Sequence, residues 1–186
     1  MLFMTLFKTK AIILKISKVK DKDFIYDIFT FDYGRIKVQK KEHKKEKTMD
    51  LGYIINCEIE TKEQRDIHKI KNIKIKSEFR YEWRDYATIN EYIIIIWIVY
   101  HKLPEWLVFK DVFEIVEEVN ETKNIDEMKL ILSRLKVINL LWELDLKHPD
   151  ELVQKVLKFI NKNKLKDIFK LSWFDQIIKE KLMRIE

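Results

Sequence analysis

The residues best placed to do chemistry in this 186-residue chain are lysines crowded behind a short aromatic segment. The segment "FTFDYGRIKVQKKEHKKEK" runs from Phe29 to Lys47, and its last eleven residues contain six lysines and two glutamates. Ammonium groups at this density bind phosphates, which gives an affinity that depends on salt and not on nucleotide sequence. Because runs of charge also occur on solvated loops, the cluster taken alone is compatible with both interpretations.

The surplus of positive charge lies in the first part of the chain, although the net charge of the whole is +6. Residues 1–80 contain 20 Lys and Arg against 12 Asp and Glu, whereas residues 81–186 contain 17 against 19. This asymmetry favours a polyanionic partner for the first part and a different role for the second.

Other residues with chemical potential lack the spacing that known sites require. Two glycines, Gly34 and Gly52, are too few for a Walker loop or a GxGxxG turn. The single cysteine, Cys57, excludes an internal disulfide and a cysteine zinc site and indicates a reducing compartment. The four histidines are scattered, with no pair at helical i, i+4 spacing. We therefore expect no metal and no cofactor.

Neither an enzyme nor a membrane protein is expected from the remaining features. The carboxylates Asp21, Asp23 and Asp27 are close in sequence but have no partner for acid–base catalysis. The longest apolar run, from Tyr92 to Tyr100, is nine residues, and a membrane-spanning helix needs about 20. The N-terminus does not resemble a secretory signal, so we expect a cytoplasmic protein.

Apolar residues recur at every second position between Lys10 and Phe79, as is typical of β-strands. Within the last of these segments the period slips by one residue between Ile70 and Ile73, which a β-bulge produces where a strand bends. Short strands with such a bend and a basic face predict an OB-fold barrel, which binds ligands on strands 2 and 3. The five predicted strands are "KAIILKIS" (Lys10–Ser17), "FIYDIFTF" (Phe24–Phe31), "GRIKVQKK" (Gly34–Lys41), "YIINCEIE" (Tyr53–Glu60) and "IHKIKNIKIKSEF" (Ile67–Phe79).

A helical period of three to four begins near Tyr81 and predicts five helices, the first running to about His101. Pro104 and Pro149 are placed at helix starts, where the missing N–H has no cost. Strands followed by helices predict an α+β fold. In this prediction residues 1–80 form an OB-fold, five-stranded barrel that binds nucleic acid. Residues 81–186 form an all-helical domain that stabilises the barrel and binds protein partners.

The predicted barrel presents the basic residues as phosphate contacts around strand 3. Base stacking on aromatic rings is expected beside them, with Tyr26 and Tyr33 as candidates, whereas Phe31 is expected in the core. The predicted DNA-binding residues are Arg35, Lys37 and Lys41 on strand 3, Lys40, Lys44, Lys45 and Lys47 on the loop that follows, and Lys18 and Lys20 in the loop between strands 1 and 2.

These motifs resemble the N-terminal signature of RecO, a family of bacterial recombination mediators. The family pattern is a strand with alanine before aliphatic residues, then an aspartate, a strand ending in Phe-Thr, a turn with glycine and a basic strand. A leucine-rich helix follows later, as in "LSRLKVINLLWELD", and the resemblance covers roughly residues 8–145. The chain lacks the four-cysteine zinc site of many members. The matching residues are Ala11, Asp23, Phe29, Thr30, Gly34 and Arg35.

The resemblance implies a DNA repair protein that is not an enzyme. Such a protein binds single- and double-stranded DNA, anneals complementary strands and helps to load the recombinase on strands coated by single-strand-binding protein. It implies RecR as a partner, recognition of the C-terminal tail of single-strand-binding protein by the helical domain, and a cytoplasmic, nucleoid-associated location. Two alternatives stay open from the residues: a helical adaptor with a purely structural barrel, and an RNA-binding OB protein.

Overall fold

The strands of this protein are joined into one barrel-like sheet that precedes the helices. The structure is a computed structural model, and it describes residues 4–21, 23–41, 48–62, 65–80, 84–141, 143–171 and 174–185. The five strands within these residues are β1 (Met4–Lys20), β2 (Asp23–Thr30), β3 (Gly34–Lys41), β4 (Ile54–Lys62) and β5 (Ile67–Ser77).

The strand order in the sheet is β1-β2-β3-β5-β4, and β1 also pairs with β4, so the pairing closes into a ring. All pairs are antiparallel except β3 with β5. The 17-residue β1 pairs with β4 through its first half and with β2 through its second half. It bends at a register shift between Ile13 and Lys15. The prediction that strand 1 spans Lys10–Ser17 is therefore too short at both ends.

The predicted bulge in strand 5 is confirmed. Lys71 lies opposite Glu58 and Lys74 lies opposite Asn56, so β5 has one residue more than β4 between these pairs. The extra residue is accommodated at Asn72, whose φ of 50° lies in the left-handed region that asparagine tolerates better than most residues. Because of it, isoleucines on both sides of the bulge face the barrel interior.

Every second residue of a strand faces the interior of the barrel, and these side chains fill it. The thiol of Cys57 is among them, and burial raises its pKa to about 12. The buried members of this cluster are Ala11, Ile13, Tyr26, Ile28, Ile36, Val38, Met49, Ile55, Cys57, Ile59 and Ile70.

Among the described residues, the helical part has a helix at each of the five predicted places and one short helix that was not expected. None of the helices in the described residues is both long and apolar enough to span a bilayer. Pro104 does not begin a helix, because it lies in the connection between α1 and α2. The helices are α1 (Tyr86–Lys102), α2 (Lys110–Glu121), α3 (Glu127–Leu140), α4 (Glu151–Lys162), the short α5 (Leu165–Ile168) and α6 (Gln176–Met183).

The barrel and the first three helices share one apolar cluster. Ile12, Phe29 and Ile54 belong to this cluster and not to the barrel interior, although they lie on barrel strands. They are packed with buried residues of α1 and α2, among them Tyr92 and Phe113. A second cluster lies between α3 and the helices α4, α5 and α6. The helices therefore cover one side of the barrel.

A buried ion pair connects α1 with α3 inside the helical part. Nε of Arg134 lies 3.1 Å from Oε2 of Glu91, and both side chains are almost fully buried. The guanidinium also donates to the carbonyl oxygens of Met183 and Ile185 at the end of α6, at 3.0 and 2.8 Å. These carbonyls would otherwise lack partners, as the last carbonyls of helices do.

Gly52 connects the β3–β4 loop to the helices through its carbonyl oxygen. Nδ2 of Asn120 donates to this oxygen at 2.8 Å, and the hydroxyl of Tyr92 lies 3.0 Å from it. The φ of Gly52 is 72°, and a Cβ built on it would lie 2.0 Å from the Tyr92 hydroxyl. Only glycine fits at this contact, because it has no side chain and adopts a positive φ without strain.

A carboxylate shared by two lysines forms a second connection between the barrel and α2. Lys10 of β1 donates to both carboxylate oxygens of Glu117 at 3.0 and 3.1 Å, and Lys76 of β5 binds Oε1. Burial alone would raise the pKa of Glu117, but the hydrogen bonds from Lys76 and Lys10 outweigh it and lower the pKa. The folded state therefore favours the ionised form.

We expect Gly52→Ala to lower the free energy of unfolding by about 3 kcal/mol, because it combines left-handed backbone strain with overpacking against Tyr92. Urea unfolding followed by circular dichroism measures this change. The exposed Thr48→Ala in the same loop is the control and should leave the unfolding midpoint within error of the wild type. Equal stability of the Gly52→Ala variant and the wild type would contradict the close contact.

We expect acid to remove a stabilisation that depends on Glu117. Its lowered pKa means that the ionised form contributes stability above the ordinary glutamic acid pKa of about 4.3, and this contribution is lost as the pH falls through the folded value. The variant Glu117→Gln should be less stable than wild type at neutral pH. The two unfolding curves should converge in acid, and a constant difference across the pH range would rule out this titration.

Candidate nucleic-acid interface

The basic residues on the outer side of β3 face acidic residues of β2. The strand register places Asp27 opposite Lys37 and Asp23 opposite Lys41. Asp27 is buried, which raises the pKa of its carboxyl, and the nearby Lys37 and Lys15 partly oppose this effect. Opposite charges at facing positions of neighbouring strands stabilise the sheet. They also reduce the positive charge that this part of the barrel presents to a ligand.

Arg35 is bound by the last turn of α1 and by the connection between α1 and α2, which we call the α1–α2 linker (residues 103–109). Its guanidinium donates to the carbonyl oxygen of Tyr100 near the end of α1 and lies 5.2 Å from the Tyr100 ring. Its side chain is only 17% exposed. The prediction that Arg35 stands on an open DNA-binding face is corrected: Arg35 joins the barrel to the helical part.

Lys37 is half-exposed and shares a carboxylate with Arg35. Oε1 of Glu105 in the α1–α2 linker lies 3.7 Å from Nζ of Lys37 and 3.6 Å from Nη2 of Arg35. The carboxylate therefore occupies the position between two cations that was predicted to receive a phosphate. A strand of nucleic acid that uses Lys37 must compete with Glu105 or pass beside it.

The remaining described candidates for DNA binding lie at the end of the barrel where β1 turns into β2. Lys18 and Lys20 lie in β1, because this strand continues to Lys20, and not in the loop as predicted. Asp23 lies between Lys20 of β1 and Lys41 of β3 in the register. Lys18 lies 3.8 Å from Oδ1 of Asp21, whereas Lys20 and Lys41 form no ion pair with another described residue.

Lys40 belongs to β3 and not to the loop that follows it, because the alternation and the pairing with Phe24 continue to the end of the strand. Its place in the alternation of β3 is one that faces inward, and its side chain is half-buried. The predicted contacts Lys44, Lys45 and Lys47 lie outside the described residues.

Sequence reasoning missed the lysines of β5. Lys69, Lys71, Lys74 and Lys76 all point outward, on both sides of the bulge. Lys71 binds Glu60 and Lys76 binds Glu117, whereas Lys69 and Lys74 form no ion pair with a described residue. The repeated lysine at alternate positions of "IHKIKNIKIK" is the signal that could have identified this strand as a basic surface.

A cavity opens beside the short parallel pairing of β3 and β5. This pairing covers only Lys37–Gln39 and Ile67–Lys69. The cavity has a volume of about 880 Å³, and no carboxylate lines it among the described residues. Cations beside apolar surface suit a ligand that carries phosphates and flat rings. The lining residues are Gln39, Lys40, Lys41, Met49, Lys69, Ile70, Lys71, Asn72, Ile73 and Ile75.

The two aromatic residues predicted to stack on bases are placed differently from each other. Tyr26 is fully buried in the barrel interior, so its predicted role in stacking is corrected: alternation along β2 puts it on the inner face with Ile28. Tyr33 is 39% exposed, and its ring centroid lies 4.0 Å from that of Phe7. Phe31 is partly buried against the cluster shared with the helices.

No protein-family model and no curated protein sequence matches this chain. Among the residues that the structure describes, no group of three or more histidine, cysteine, aspartate or glutamate side chains is arranged to hold a metal ion. What the described residues form is a basic barrel end beside the β3–β5 cavity, composed of Lys18, Lys20, Lys40, Lys41, Lys69 and Lys71. We call this set the basic barrel end.

We expect Arg35→Ala to act on stability, because it removes charge-assisted hydrogen bonding to the end of α1. Such bonds are worth about 2 kcal/mol, so the free energy of unfolding should fall by about that amount. Urea unfolding measures it, with Lys41→Ala as the control on the same strand. A loss of DNA binding without any loss of stability would contradict the role of Arg35 in joining the barrel to the helical part.

Proposed function

We propose that this chain is a DNA repair and recombination mediator of the RecO type. It binds single- and double-stranded DNA, anneals complementary strands and assists loading of the recombinase on strands coated by single-strand-binding protein. The proposal includes a division of labour between a nucleic-acid-binding barrel in residues 1–80 and a partner-binding helical part in residues 81–186. It requires no catalysis.

The sheet supports this proposal because its topology suits an OB-fold. Five strands are arranged so that β1 pairs with both β2 and β4, and β3 runs parallel to β5. Proteins with the OB-fold bind oligonucleotides on a barrel face and on the loops beside it. The segment from Asp23 to Val38, one of the motifs in the resemblance to RecO, forms β2, the turn and most of β3.

The observation that carries the proposal is the basic barrel end. Lys20, Lys41 and Lys69 have no ion-pair partner among the described residues. Lys41 and Lys69 line the β3–β5 cavity, and Lys20 lies across β2 from Lys41 in the strand register. Lysines that are not neutralised within the protein are available to phosphates, and their contacts do not depend on base sequence. A protein that anneals strands of any sequence needs this kind of contact.

The partners in the proposal come from the resemblance. They are RecR and the C-terminal tail of single-strand-binding protein, which the helical part would bind, and the location would be cytoplasmic and nucleoid-associated. A helical adaptor is a second candidate, favoured by apolar residues exposed along α1. Tyr86, Ile93 and Trp97 are 83%, 43% and 54% exposed and follow one face of the helix.

We expect the double charge reversal Lys20→Glu with Lys41→Glu to weaken binding of labelled single-stranded DNA by at least about tenfold at low salt. The loss should be equal for different base sequences, and the logarithm of affinity should fall less steeply with the logarithm of salt concentration. Annealing of complementary strands, with and without single-strand-binding protein, should slow in parallel. Fluorescence anisotropy and strand-annealing kinetics measure these effects.

The matched control is Lys147→Glu with Lys158→Glu, which changes the net charge equally at exposed positions of the helical part. This control should bind and anneal nearly as wild type does. Binding that is unaffected by salt, or equal loss in both double variants, would refute the proposed interface. Stronger binding to RNA than to DNA of the same sequence would instead favour an RNA-binding protein.

A further inference from the structure

Trp106 is held in an unusual conformation with most of its ring in solvent. It lies in the α1–α2 linker with a φ of 64°, which non-glycine residues rarely adopt. Its exposed fraction is 55%, so burial of the indole does not compensate for the strained backbone. A strained backbone that the surrounding structure maintains is typical of residues that act on a ligand.

The barrel fixes the backbone of Trp106 directly. Its N–H donates to the carbonyl oxygen of Arg35 at 3.3 Å. Gly34 permits this approach, because a Cβ there would lie 2.5 Å from the carbonyl carbon of Trp106. The ring of His68, at the start of β5, packs edge-on to the indole with a centroid distance of 5.7 Å. The indole is therefore positioned in advance and does not depend on a flexible loop.

Exposed apolar residues and cations adjoin Trp106 in the sequence and in the strand register. Leu107 and Val108, which follow Trp106, are 47% and 39% exposed, and Ile67, which precedes His68, is 38% exposed. Lys37 lies opposite Ile67 in the register, and Lys69 points outward two residues further along β5. The nearby carboxylate of Glu105 is shared between Arg35 and Lys37. Aromatic rings beside phosphate-binding cations are characteristic of surfaces that bind single-stranded nucleic acid.

We propose that Trp106 is the residue on which an unpaired base of single-stranded DNA stacks, with the neighbouring phosphates directed to Lys37 and Lys69. The inference rests on the proposed DNA binding and adds to it a base-dependent contact that the lysines alone do not provide. It assigns to the α1–α2 linker a role that sequence reasoning gave to Tyr26 and Tyr33. Charge complementarity selects a nucleic-acid strand as the occupant, because Lys37 contacts Glu105, the residue before Trp106, and Lys69 follows His68, whose ring packs against the indole.

The test compares a labelled thymidine oligonucleotide with an abasic strand of the same length. Wild type should bind the thymidine strand more tightly, and Trp106→Ala should lose about tenfold on it, the usual effect of removing one stacking residue. The abasic strand should be bound equally by both proteins, because it offers phosphates without bases. Trp106→Phe should recover most of the affinity, since it restores an aromatic ring.

Trp97→Ala is the matched control, because Trp97 is 54% exposed and lies on α1, not in the α1–α2 linker. It should bind both strands as wild type does. A second measurement uses the unaltered protein and so does not depend on the folding of a variant. Photocrosslinking with a bromouracil-containing strand, followed by mass spectrometry, should place the crosslink on the peptide that contains Trp106.

The outcomes separate the two proposals. Failure of wild type to bind any DNA would overturn both the proposed function and the stacking role. Equal wild-type affinity for the thymidine and abasic strands would leave the proposed function standing and overturn the stacking role. An unchanged affinity in Trp106→Ala would do the same, as would crosslinks confined to other peptides, and either would leave the exposed indole to a protein partner.

Discussion

The apolar contact between one side of the barrel and helices α1 and α2 decides which surfaces of this protein face solvent. Ile12, Phe29 and Ile54 point away from the barrel interior and are buried by the helices. Full burial of side chains of this size is worth roughly 1.5–3 kcal/mol each, so this side of the sheet is committed to packing. The wall around β3 and β5 is left for other uses, and Trp106 and those lysines of the basic barrel end that belong to these two strands lie there.

The elements of the fold could be predicted from the sequence because their periods are local. Alternation along β3 and β4 identified the inner and outer faces, and the slip between Ile70 and Ile73 identified the bulge. The joint at Arg35 could not be predicted, because its partners at Tyr100 and Glu105 come some seventy residues later in the chain. Local patterns contain no information about such a contact, and Pro104 suggested a helix start where an extended linker lies.

The sequence predicted a basic surface around strand 3, but for the same reason it did not show which of the basic residues are paired with carboxylates. Acidic residues of β2 and β4 alternate with basic strands around the sheet, so the charge of one strand is opposed by that of its neighbour. Asp27 faces Lys37, and Glu58 and Glu60 face β5. A net charge summed over residues does not reveal this pairing. A polyanion is therefore attracted mainly to the lysines that face no carboxylate. This attraction extends over about one Debye length, roughly 8–10 Å.

The bulge at Asn72 has a consequence for how the length of this chain can vary. Without Asn72, the segment from Lys69 onward would read "KIKIKIK" and alternate perfectly, and Ile73 would take the place opposite Cys57 while Lys74 kept its place opposite Asn56. The asparagine therefore contributes curvature and a side-chain hydrogen bond to Glu58, and it does not set the register of the strand. Most single-residue deletions in a strand exchange its two faces. Here one codon can be lost or gained over evolution with Ile70, Ile73 and Ile75 still facing inward.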